Sequence, residues 1–90
     1  MGASVRRVLI DGSFIEYSVT TIRADKHRPH GVRYRLAWIQ KGHCRVLFDN
    51  HHGKTDHCHV DGKEHDYSFK TVDALFDDFL AEVKKLGGAV

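Results

Sequence analysis

The run Asp49-Asn50-His51-His52-Gly53-Lys54-Thr55-Asp56-His57-Cys58-His59 places four imidazoles, two carboxylates and one ammonium within eleven positions. His57 and His59 are two residues apart. On a strand such residues project to the same side, about 6–7 Å from one another at a rise of roughly 3.3 Å per residue. Two imidazoles at that separation can bracket one reacting group, or they can chelate one metal ion.

The first possibility is nucleolytic. Metal-free cleavage of RNA needs a base for the 2′-hydroxyl proton, an acid for the leaving oxygen, and cations for the charge on the phosphorane. Histidine serves both proton roles near neutral pH, its unperturbed pKa being about 6.5. Lys54, Arg33 and Arg35 can supply positive charge, and Gly53 lets backbone amides approach a phosphate. Asp49 or Asp56 can orient an imidazole, as a carboxylate does in catalytic triads. Gly53-Lys54 by itself is not a P-loop, because the remainder of that motif is missing.

The second possibility is a metal. His57 and His59 with one of His51, Asp49 or Asp56 would make an open three-ligand site of the catalytic zinc type, although the spacing matches no standard zinc pattern. A third and plainer reading makes the same segment a long turn, held by Asx hydrogen bonds and a glycine, with solvated histidines beside it. Five of the eight histidines fall between positions 51 and 65, a density that turn chemistry alone does not require.

These residues must be held by strands. Val5–Asp11 and Phe14–Arg23 are rich in β-branched and aromatic residues and meet at Asp11-Gly12, a hairpin signal. A polar loop follows and contains the only proline, Pro29. Val32–Gln40 alternates, with Val32, Tyr34, Leu36 and Trp38 on one face and Arg33, Arg35 and Ala37 on the other. Lys41-Gly42 turns the chain into Cys44–Asp49, where Cys44, Val46 and Phe48 alternate with Arg45 and Leu47. His57–Asp61 and His65–Phe69 complete the set, joined through Asp61-Gly62.

The period then changes. Val72, Leu75, Phe76, Phe79, Leu80, Val83 and Leu86 recur at spacings of three and four, which predicts an amphipathic helix over residues 72–86. Thr71 suits the N-cap, Asp73 the first turn, Lys84 and Lys85 the last turn, and Gly87 the stop. The expected fold is α+β: an antiparallel meander of about six short strands over residues 4–69, with the C-terminal helix packed on one face. That helix should cover the Val32, Tyr34, Leu36, Trp38 side. The opposite face then carries Arg33, Arg35, Arg45, His57 and His59.

Ninety residues with 41% hydrophobic and 29% charged residues describe one folded domain spanning 1–90, too short for two cores and too apolar for a disordered chain. The formal charge of +2 conceals a gradient. Residues 1–45 carry nine Lys or Arg against three acids, and residues 46–90 carry five against nine acids. A basic surface for a polyanion and an acidic surface for another neighbour fit this asymmetry, as does salt-bridging between the halves. Cys44 and Cys58 are too few for a disulfide framework, which favours a cytoplasmic setting. They read as small core hydrophobes or as a pair across adjacent strands. No signal-peptide core and no apolar stretch of membrane-spanning length is present, so no membrane partner is expected.

The run Arg33-Tyr34-Arg35-Leu36-Ala37-Trp38-Ile39, the Gly42 turn, the Asp-Asn-x-x-Gly-Lys-x-Asp-His-x-His block at 49–59, Tyr67-Ser68-Phe69, Val72-Asp73-Ala74-Leu75 and Asp78-Phe79 together resemble the TumE family of toxin proteins. The resemblance covers Gly31 to about Val83, and the histidine block is its most specific part. It implies a growth-inhibiting toxin of a type II toxin–antitoxin pair, acting on RNA and neutralised by a DNA-binding antitoxin with a helix-turn-helix. The motif and the chemistry together nominate Lys54, Asp56, His57 and His59 as catalytic, with Arg33, Arg35, Arg45, Asn50, His51 and Gly53 as substrate-binding.

No cofactor is required by this reading. A divalent metal held by His57, His59 and His51 would make the protein a metal-dependent hydrolase instead. A non-catalytic nucleic-acid-binding or regulatory module is a further alternative, with Arg33, Arg35 and Arg45 on phosphates. The predicted core placement of the aromatic residues argues against it, because a stacking platform would be missing. Self-association is left open. The acidic helix positions Asp73, Asp77, Asp78 and Glu82 form a candidate footprint for a protein partner.

Overall fold

A computed structural model describes residues 4–51 and 55–90. Among them the chain forms β1 (Val5–Val8), β2 (Phe14–Thr21), β3 (Val32–Gln40), β4 (His43–Asp49), β5 (His57–Val60), β6 (Lys63–Asp66) and α1 (Val72–Lys85). The strands make one antiparallel sheet in the order β1-β2-β3-β4-β5-β6, so the protein is an α+β meander with a single C-terminal helix. No helix among the described residues is long and apolar enough to cross a membrane.

Helix α1 begins where Thr71, in an extended conformation, accepts a hydrogen bond from the Ala74 amide through its side chain. Asp73 lies in the positive first turn and Lys84 and Lys85 in the negative last turn. Its buried residues Leu75, Phe79 and Val83 pack into one cluster with Ile15, Tyr34, Leu36, Trp38, Val46, Phe48 and Cys58. The helix therefore covers the expected face. Each large apolar side chain fully buried there contributes roughly 1.5–3 kcal/mol. Trp38, fully enclosed, still satisfies its indole by donating to Ser13 Oγ at 3.0 Å.

Besides shifts of one or two residues at strand ends, three features depart from the sequence expectation. β1 stops at Val8, and residues 9–13 form a longer connection closed by Leu9 N donating to Ser13 O and Gly12 N donating to Leu9 O. β6 starts at Lys63 rather than His65. The cause is the two-residue turn: Asp61 and Gly62 both take positive φ, at 52° and 85°, and so pair Val60 directly with Lys63. Tyr67 and Phe69 then leave the sheet and pack on its covered side, against Phe48 and Tyr34. The third departure is a bulge.

The bulge corrects the expected place of Arg45. Trp38 pairs with Val46 but Ile39 pairs with Cys44, so one residue of β4 is extra at this point. Arg45 is that residue. Its guanidinium lies 5.5 Å from the Trp38 ring centroid and pairs with Asp61 at 3.1 Å. Trp38 belongs to the covered row, so Arg45 leaves the open face that strict alternation assigned to it.

Candidate functional site

The open face is built by cross-strand registry. Arg35, Asp49, His57 and Asp66 are successive partners across β3, β4, β5 and β6. Ala37, Leu47, His59 and Glu64 form the next row. Side chains two apart on one strand share a face, so both rows and Arg33 lie on the side away from α1. The sheet brings together Arg33, Arg35, Asp49, His57, His59 and Glu64.

His57 is the most enclosed member, with only 10% of its side chain exposed. Its Nδ1 lies 2.9 Å from the Thr55 carbonyl oxygen. A carbonyl only accepts, so Nδ1 carries the hydrogen and Nε2 is aimed at Asp49 Oδ1, 2.7 Å away. That oxygen is buried, yet no described residue gives it an aligned hydrogen bond. His57 thus presents both ring nitrogens to oxygen atoms, the Thr55 carbonyl on one side and Asp49 on the other. His59 is more open: its Nε2 is 3.2 Å from Glu64 Oε1, which leaves Nδ1 available. The two rings meet edge to face with centroids 5.2 Å apart. Donor atoms of His57, His59 and Glu64 all lie within 4.8 Å of one another, and His51 is not part of that group.

A second cluster sits beside the first. Asp56 does not orient His57; it accepts from three other groups. His30 Nε2 lies 3.0 Å from both of its oxygens, Tyr34 Oη donates at 2.8 Å, and Asn50 Nδ2 donates at 3.1 Å. His30 Nδ1 accepts from the Val32 amide at 3.2 Å, so the hydrogen of this imidazole is on Nε2 and points at the carboxylate. Burial, and then the Asp56 carboxylate, hold the Tyr34 hydroxyl far above the ordinary phenol range. Phe69 stacks on His30 with centroids 4.1 Å apart.

Asn50 is fully buried, which places it out of reach of a ligand on the open face. Its Oδ1 accepts from Tyr34 N at 3.0 Å and its Nδ2 donates to Val32 O at 2.8 Å, extending the β3–β4 ladder by one step with a side chain. Its own carbonyl accepts from Arg28 Nη1 at 2.9 Å. Asn50 and Asp56 therefore clamp the two ends of the 50–56 connection to β3. Gly53 and Lys54, nominated on the sequence, lie outside the described residues, as does His52. His51 is half-buried at the start of that connection.

Glu64, His30 and the Tyr34 hydroxyl escaped the sequence reading. Glu64 could have been found, because a two-residue Asp61-Gly62 turn makes it the partner of His59 by counting outward from the turn. His30 carries no local signal, and Tyr34 reads only as core. Neither cysteine is in a disulfide: Cys44 is exposed and Cys58 is buried beside Phe48, its thiol pushed up by burial. They behave as isolated thiols, and Cys58 as a small core hydrophobe.

No curated protein and no solved structure matches the chain. The family model described as Toxin TumE matches residues 2–86, nearly the full length and including every residue of both clusters, and the chain accordingly belongs to the TumE family of toxins.

Proposed function

We propose that this toxin is a ribonuclease of a type II toxin–antitoxin module, acting in the cytoplasm through histidine acid–base catalysis on the open sheet face. The observation that carries the reading is the pairing of two imidazoles in different surroundings, His57 enclosed and His59 more open, beside the exposed Arg33 and Arg35. His59 Nδ1 takes the proton of a 2′-hydroxyl, and the freed O2′ attacks phosphorus. His57, as the general acid, gives a proton to O5′ as the P–O5′ bond breaks. The products are a 2′,3′-cyclic phosphate and a 5′-hydroxyl. Asp49 orients His57, and Arg33, Arg35 and Lys54 balance the phosphorane charge. Asp56, nominated as catalytic by the motif, acts as a positioning residue for the segment that bears Lys54.

Membership in a toxin family implies an antitoxin partner. A helix-turn-helix in that antitoxin is part of the proposal.

Expression of the parent, His57→Ala and His59→Ala chains tests the reading. Growth arrest and RNA loss are expected from the parent only, and equal toxicity of the variants would overturn the residue assignment. Cleavage in vitro should survive a chelator; its abolition would favour the metal-dependent hydrolase. Salt-sensitive binding of RNA without cleavage would favour the non-catalytic module.

A further inference from the structure

Four donors of the open face, only His57 of them buried, lie close enough to suggest a ligand set. His57 and His59 stand at i and i+2 on β5, and the sheet places Asp49 opposite the first and Glu64 opposite the second. One donor atom from each of His57, His59 and Glu64 lies within 4.8 Å of the others. A zinc-sized ion would take them at ligand distances of roughly 2.0–2.2 Å.

Two further features separate this set from an ordinary patch of ion pairs. His57 Nδ1 is engaged by the Thr55 carbonyl at 2.9 Å, the outer-shell contact that fixes a metal-ligating imidazole with Nε2 directed inward. Asp49 Oδ1 is buried, points at the same Nε2 from 2.7 Å, and receives no aligned hydrogen bond from a described residue. A buried carboxylate oxygen without such a donor costs about 1–3 kcal/mol or more unless something positive meets it. Two imidazole nitrogens and a carboxylate oxygen, with a second carboxylate against His57, make a mixed N/O set suited to zinc and its first-row neighbours, and ill suited to calcium or magnesium, which prefer all-oxygen shells.

We propose that His57, His59 and Glu64, with Asp49 against His57, form a binding site for one divalent transition-metal ion of the zinc type, and that the bound ion silences the toxin. The ion occupies ring nitrogens of His57 and His59 through which the protons would move, so cleavage and metal binding exclude one another. The inhibitory half rests on the acid–base reading above; the binding half does not.

Zinc titration of the full chain by calorimetry, with a thermal melt in parallel, tests the site. The parent should take up one zinc ion per chain and melt at a higher temperature when loaded. His59→Ala at a half-buried position and Glu64→Gln at an exposed one should weaken binding by about tenfold or more. Glu82→Gln, on α1 across the sheet, should bind as the parent does, and so should Cys44→Ser, whose thiol lies near Asp49 without being one of the ligands. Absence of zinc binding by the parent, or loss of binding in Cys44→Ser alone, would overturn the site and leave the ribonuclease reading standing. Cleavage assays on the same samples separate the second half. Loss of cleavage on loading, reversed by a chelator, supports inhibition; cleavage that requires zinc would sustain the site and overturn both inhibition and metal-free catalysis.

Discussion

Asp49 and His57 are register partners on adjacent strands, and the carboxylate oxygen reaches the imidazole Nε2 at 2.7 Å while the Thr55 carbonyl holds the opposite nitrogen. This contact gives the otherwise symmetric His57–His59 pair a direction. His57 is pinned between two oxygen atoms, and His59, at 37% side-chain exposure, stays open to solvent. The asymmetry comes from the sheet edge, since β6 supplies only the exposed Glu64 to His59.

Asp49→Asn should keep the shape of the site but remove the charge that orients His57. Cleavage is expected to fall by about 10²–10⁴-fold, the range over which positioned proton transfer operates. The melting temperature should change little in comparison, because the replacement is isosteric. Single-turnover cleavage beside a thermal melt checks both.

Asp56→Ala should act mainly on stability. It leaves the Tyr34 hydroxyl, the His30 Nε2–H and one Asn50 hydrogen without their acceptor. Each stranded buried group costs about 1–3 kcal/mol, a large share of the roughly 5–15 kcal/mol available to a small domain. Tyr34→Phe removes one donor and leaves two, so its cost should stay near 1 kcal/mol. Urea unfolding midpoints at constant slope distinguish the two variants.

Arg33→Ala and Arg35→Ala should each lower the slope of log K against log salt for RNA binding by about one, as expected for cations that displace counterions from phosphates. Arg45→Ala should leave that slope unchanged, because its guanidinium is occupied over Trp38 and by Asp61. A change in slope for Arg45→Ala equal to that for Arg35→Ala would place it back on the binding face.

Alkaline titration offers a separate check. Burial comes first in raising both Tyr34 and Tyr67, followed by the carboxylate each one donates to, Asp56 and Asp78 respectively. The fold therefore disfavours the phenolates. Their contribution to stability is complete below the unfolded value of about 10 and is lost as pH climbs above it through the raised folded values. Absorbance at the phenolate band should show these two side chains ionising only as the protein unfolds. Tyr67→Phe should flatten the fall in stability above about pH 10.

Much of this architecture is local and so could be read along the chain. Helix α1 follows from apolar spacing and from Thr71, and the alternation in β3 determines which of its faces is covered, since a strand with Tyr34, Leu36 and Trp38 on one side can bury only that side. The pairing of His57 with His59 is likewise a matter of strand period. The Asp61-Gly62 turn even determined that Glu64 faces His59, because a two-residue turn sets the register of everything after it.

What remained for the tertiary structure was contact between distant segments. Alternation assumes an unbroken ladder, and one extra residue in β4 moved Arg45 to the side of Trp38. Asp49 and Asp56 were equivalent as orienting carboxylates until the β4–β5 register gave the first to His57 and the loop before β3 brought His30 to the second. Sequence spacing could not distinguish them, because a hydrogen bond is short and directional. Which imidazole a carboxylate holds depends on ångström distances across strands, and those distances exist only once the sheet has closed.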